Sequence, residues 1–166
     1  MFLVLGEKPS VAQALAEVLG AKKREDGYLE GEGCVVSWCL GHLAEYVAPE
    51  VYDERYKKWE FADLPILPKT WELRIAKDKK EQFDVLKELL NRKDFEYVVN
   101  ACDAGREGEL IFKRVYDLSK SSLPVKRLRI SSMEEQAICN GFSNLKDGKA
   151  YERLCEAAVC RAKADW

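Results

Sequence analysis

Apolar residues fall into two kinds of run along this chain, and the alternation between them predicts its elements. Short unbroken runs read as buried strands: Phe2-Leu3-Val4-Leu5-Gly6, Cys34-Val35-Val36-Ser37-Trp38-Cys39-Leu40, and the segment 95–102 that ends in Val98-Val99-Asn100-Ala101-Cys102. Between them, apolar residues recur at helical spacing. Pro9 and Ser10 open a helix in which Val11, Leu15, Val18 and Leu19 share a side before Gly20 stops it. A second helix fits 79–92, with Phe83, Leu86, Leu89 and Leu90 on one stripe, and a third runs from Arg106 to about Ser119. A strand from Val125 to Ile130 follows, then a helix opened by Ser132-Met133-Glu134-Glu135, which has the spacing of a capping box. Residues 27–40 read as a hairpin turning at Gly31-Glu32-Gly33, and the charged, proline-rich stretch 44–70 as a long loop or insertion. Residues 149–166 carry a last helical pattern, with Leu154, Ala157, Ala158 and Arg161 in phase, that breaks off at Trp166 without a cap.

Strands separated by helices predict an α/β fold with a largely parallel, doubly wound (Rossmann-like) sheet flanked by helices. A chain of 166 residues with 47% hydrophobic content is long enough for one domain with a real core, since ~100–200 residues per domain is usual. No apolar run approaches the ~20 residues of a membrane span, and the N-terminus lacks the order of a signal peptide, so the expectation is a cytoplasmic protein with no membrane partner. The six cysteines form no CxxC pair and there is a single histidine, which argues against zinc and assigns most of the thiols to the core. His42 reads as a structural hydrogen-bonder; Trp38, Trp59 and Trp71 could stack on bases, but core or loop packing is the better reading of each.

The chemistry gathers where strands end. Asp103 follows the strand at 95–102, and Glu107 and Glu109 fall where the next helix begins; Glu7 has the same position after the opening strand. Ligands of open α/β sheets bind just beyond the carboxyl ends of the strands. Asp103 and Glu107 are hard oxygen donors of the kind that share Mg²⁺ with water and phosphate. Gly105 and Gly108 let backbone approach a ligand, and the helix beyond them offers unpaired N–H groups to a phosphate. A single acid at a helix start also serves the helix dipole. Acids at two strand ends, one of them glycine-rich, point to a cation and phosphate site. The net charge of −2 is low for a nucleic-acid protein, and basic residues gather only locally, at Lys126-Arg127-Leu128-Arg129 and at Arg153, Arg161 and Lys163. The bland reading of both clusters is a solvated face.

These residues carry a family resemblance. EKPS at 7–10 followed by DAGREGE at 103–109 resembles the TOPRIM domain of type IA topoisomerases. WCLGHL at 38–43, ADLPILPKTWEL at 62–73 and ISSMEEQAI at 130–138 resemble the topoisomerase III branch in particular, and the terminal CRAKADW is similar to the segment where such enzymes leave TOPRIM. One position departs: the family pattern has a second Asp where this chain has Gly105.

The resemblance implies a TOPRIM domain over 1–148 and, over 149–166, the truncated start of a following helical domain. It implies cleavage and religation of single-stranded DNA by a tyrosine in a later domain of the same polypeptide, with Mg²⁺ as cofactor. Glu7 would then protonate the leaving 3′ oxygen, and Lys8 would hold the scissile phosphate. Asp103, Glu107 and Glu109 are the implied metal ligands, and Ser10, Arg106 and Arg161 the implied DNA or phosphate contacts. Arg161 could equally pair with Asp165 one helical turn on. Tyr151 has an Arg two residues later, as the family's nucleophile does, but lacks its flanking residues. The rival readings are another TOPRIM enzyme, such as a maturase-type nuclease or a primase, and a binding-only domain.

Overall fold

A computed structural model describes all 166 residues. The chain order is β1 (Phe2–Gly6), α1 (Pro9–Leu19), β2 (Lys23–Glu25), β3 (Tyr28–Glu30), β4 (Cys34–Trp38), β5 (Ala44–Tyr46), β6 (Leu73–Ile75), α2 (Lys80–Leu90), β7 (Val98–Ala101), α3 (Arg106–Ser119), β8 (Val125–Arg127), α4 (Glu135–Ser143), β9 (Lys146–Asp147) and α5 (Glu152–Asp165). Seven strands form one sheet in the order β2-β3-β4-β1-β7-β8-β9. Its centre, β4-β1-β7-β8, is parallel, while β2, β3 and β9 add antiparallel edges. The expected largely parallel α/β sheet flanked by helices is what the chain forms.

Alternation along the central strands feeds two layers. Leu3 and Leu5 of β1 face a core with Val35, Leu86, Leu90, Val98, Ile111 and Val115, under α2 and α3. Val4, between them, faces the other side with Ala12, Leu15, Val36, Val99, Leu128 and Ile138, under α1 and α4. Both faces are covered, which is why these strands read as unbroken apolar runs. Gly20 ends α1 in a left-handed conformation (φ 77°), its N–H reaching Ala16 and Glu17 carbonyls.

Several expected boundaries shift. The hairpin turn forms where expected, with the Gly31 N–H on the Cys34 carbonyl at 2.8 Å. The site strand is shorter than 95–102, and β8 stops at Arg127 instead of reaching Ile130. The capping box does not form: Ser132 Oγ accepts from the Glu134 N–H at 3.1 Å, and the helix starts only at Glu135 without a side-chain cap. The stretch 44–70 opens with β5, which pairs with β6 in a separate two-stranded sheet, and otherwise runs through three short 3-10 turns. It exposes Trp59 (76%), Phe61 (94%) and Leu67 (76%). Trp71 packs instead, against Tyr46 and Trp166.

Residues 149–166 begin in a 3-10 turn and continue as α5, which packs on α3 through buried Cys155 and Ala158. Trp166 Nε1 donates to the Val47 carbonyl at 3.0 Å. Four cysteines are buried, while Cys139 and Cys160 are exposed. No helix is long and apolar enough to cross a membrane.

Candidate active site

The carboxyl ends of three neighbouring parallel strands, β4, β1 and β7, bring the candidate residues together. Beyond β1, Gly6 hands over to Glu7 and Lys8, and Lys8, in extended conformation, caps α1. Lys8 and Ser10 are solvent-exposed at this helix start, and Glu7 is half-buried. Beyond β4, the chain turns alongside: the Cys39 N–H donates to the Gly6 carbonyl at 2.8 Å and the Gly41 N–H to the Glu7 carbonyl at 3.1 Å. Beyond β7, the Asp103 N–H donates to Glu7 Oε2 at 3.3 Å. The two acids read from separate strand ends are therefore held next to each other.

Asp103 leads into α3 through a tight turn in which the Gly105 N–H donates to the Asp103 carbonyl at 2.8 Å. Gly105 caps the helix in extended conformation (φ −146°, ψ −178°), with open space where a Cβ would stand. Gly108 is different. A Cβ there would overlap the Asp103 carbonyl and come within 2.9 Å of the Asp103 nitrogen, so the turn folds onto the helix only because position 108 has no side chain. Arg106 and Glu107 are exposed on the first turn. Glu107 Oε2 lies 2.8 Å from His42 Nε2, and Lys79 Nζ holds the His42 carbonyl at 3.0 Å. His42 is a hydrogen-bonder, as read, but its partner is a candidate metal ligand from another strand end.

Two candidates are engaged elsewhere. Glu109 is buried (7% exposed), and its Oε1 accepts from Arg127 Nε at 2.6 Å. Arg161, on α5, pairs with Asp165 one helical turn on, at 3.4 Å. The solvated-face reading of residues 126–129 is overturned at Arg127, which is 1% exposed and donates into the site loop. Its neighbour Arg129 is exposed, donates to the Ala104 carbonyl at 3.1 Å and lies over the Tyr151 ring. No group of three or more His, Cys, Asp or Glu side chains is gathered closely enough to cage a metal ion. Beneath the loop, the Cys102 thiol, hydrogen-bonded to Cys39 and sealed from solvent, is held well above the usual cysteine range.

A doubly wound α/β domain with acids and glycines on two adjacent strand ends and a glycine and histidine on the third, beside two helix N-termini, defines a class built to handle phosphates and cations. The comparison with known families is specific: residues 2–133 match the Toprim domain. The chain belongs to the Toprim domain family. It is 50% identical over 163 residues to the DNA topoisomerase 3 of Shouchella clausii and 49% identical over 164 residues to that of Bacillus cereus, covering 98% and 99% of this chain. It spans only 22% of the length of each of these relatives. Among solved structures it superposes on full-length topoisomerase I from Thermotoga maritima with a TM-score of 0.54 at 20% identity, over 87% of this chain and 21% of that one. That likeness concerns the fold.

Proposed function

We propose that this chain is the Toprim part of a topoisomerase III-like type IA enzyme, and that it supplies the acid and phosphate-binding groups for cutting and resealing single-stranded DNA in the cytoplasm. The observation that carries this reading is the pairing of Glu7 with the Asp103 backbone across two neighbouring strand ends, with Lys8 beside them. In this reading the nucleophile is a tyrosine in another domain of the same polypeptide, and residues 149–166 lead toward that domain. The chain by itself is then unable to relax DNA.

Glu7, anchored by the Asp103 N–H, gives a proton to the departing 3′ oxygen and recovers it on religation. Lys8 places a point charge on the scissile phosphate. Ser10 and Arg106, on the first turns of α1 and α3, add donors where two helix N-termini converge.

The donors also fit Mg²⁺. Asp103 and Glu107 present exposed carboxylates, which suit a cation that keeps several waters and shares a substrate phosphate in place of a full protein cage. Those two would hold it, with Glu7 adjacent, and the cation's contribution when bound is charge neutralisation at the phosphate. His42 steadies Glu107 in the meantime.

The test is Glu7→Gln in the longer polypeptide. Cleavage of a single-stranded oligonucleotide should fall by ~10²–10⁴ with DNA binding nearly unchanged. Cleavage at the original rate would remove Glu7 from the mechanism.

A further inference from the structure

We propose that Arg127 is the positioning residue of this site: its guanidinium fixes the Asp103 loop and the start of α3 in register, and Glu109 is its counter-ion, not a metal ligand. The proposal rests on the reading that Asp103 and Glu107 hold a divalent cation.

Arg127 is the last residue of β8, the strand that flanks β7. Its five hydrogen bonds all go inward. Nε donates to Glu109 Oε1 at 2.6 Å; Nη1 donates to the carbonyls of Asn100 (2.9 Å), Cys102 (2.6 Å) and Leu128 (3.1 Å); Nη2 donates to the Asp103 carbonyl at 2.6 Å. Cys102 and Asp103 lie just beyond the last residue of β7, whereas the Asn100 carbonyl, still within the strand, also takes the Leu128 N–H at 3.0 Å. A buried carbonyl without a partner is costly. One planar fork serves all three carbonyls, which a lysine's single ammonium cannot copy.

The consequence for Asp103 is specific. Its carbonyl is held by Arg127 and by the Gly105 N–H, and its own N–H by Glu7. Both backbone groups are committed, so only the side-chain torsions of this carboxylate remain free. Glu109, one turn into α3 and buried, ties the helix to the same guanidinium. Removing Glu109 from the ligand set leaves Asp103 and Glu107, both exposed, as the donors that face solvent.

Arg127→Lys in the 166-residue chain is the direct test. Calorimetric titration of Mg²⁺ should show affinity at least ~10-fold weaker, the usual loss when a partner behind a ligand is removed, while circular dichroism shows a folded domain. Amide exchange at Asp103, Gly105 and Glu109 should accelerate. Leu86→Ala, a core truncation on α2, should lower stability and leave Mg²⁺ affinity unchanged, which separates positioning from general destabilisation.

A folded Arg127→Lys chain with wild-type affinity, or with unchanged loop exchange, overturns the proposal. If the variant fails to fold, NMR of the wild type decides. The Arg127 Nε–H signal should be protected from solvent exchange and stay protected as Mg²⁺ shifts the Asp103 and Gly105 amides; rapid exchange of that proton overturns the assignment. A wild-type chain that takes up no Mg²⁺ would instead refute the cation reading of the acids, and Nε–H protection would still decide whether Arg127 pins the loop.

Discussion

Gly105→Asp is the most informative single change this site offers, because it adds back the carboxylate that the family pattern carries. The backbone accepts it: φ is −146° and a Cβ meets nothing within 4 Å, so no left-handed strain and no clash opposes the side chain. Position 105 is also the N-cap of α3, where Asp is better than Gly by a few tenths of a kcal/mol. Replacing Gly should add ~0.4–1 kcal/mol by restricting the unfolded chain, and repulsion from the exposed neighbouring acids offsets a few tenths per pair. The net is about 0.5 kcal/mol without metal, or ~1–2 °C in Tm at ~2–4 °C per kcal/mol for a domain of this size.

Metal should amplify this. A missing ligand costs at least the ~10–100-fold of an outer partner, so Mg²⁺ should bind the variant ~10-fold or more tightly. With Mg²⁺ at the wild-type Kd, ligand linkage stabilises wild type by ~0.4 kcal/mol and the variant by ~1.4, a further gain of ~2–4 °C. Calorimetry with Mg²⁺, and thermal scans with and without it, measure both effects. Equal affinities in a folded variant would mean that a side chain at 105 does not face the cation, and the match drawn through Gly105 to the family's second Asp would be wrong.

Two further outcomes follow from packing and burial. Gly108→Ala should cost ~1–3 kcal/mol in chemical denaturation as the new methyl lifts the Asp103 turn, whereas Gly33→Ala, which meets nothing within 4 Å, should stay within ~0.5 kcal/mol of wild type. Burial pushes the Cys155 thiol up from 9.0 to about 11. A folded pKa raised above the unfolded one contributes stability that is fully present below ~9 and lost as pH rises through about 11. Cys155→Ala should therefore flatten the alkaline loss of stability between those values, and an unchanged slope would refute the burial argument.

What the sequence made legible tracks what is encoded locally. β1, α1 and α3 were readable because each has unbroken or helical apolar spacing with a Pro or Gly at its boundary, and α2 by the stripe of Phe83, Leu86, Leu89 and Leu90 alone. The acidic site was readable because strand ends are where α/β sheets bind ligands. The edges were not: β2 is Lys23-Arg24-Glu25 and β9 is Lys146-Asp147, charged strands with no apolar face to mark them. The contact of His42 with Glu107 spans 65 residues and exists only through the order β4-β1-β7. Arg127 was hidden for a different reason. Arginine is rarely buried unless paired, and four of its five acceptors are backbone carbonyls, which leave no trace in a list of side chains.

Those unmarked edges govern how the domain can meet other chains. A free sheet edge is a template for a foreign strand, and short, charged edge strands blunt that hazard. Here both rims of the seven-stranded sheet end that way, in a three-residue and a two-residue strand. Backbone-to-backbone recruitment into this sheet is disfavoured at either side. Side chains are the better handle for a docking protein, and the largest exposed apolar ones, Trp59, Phe61 and Leu67, all stand on the one insertion.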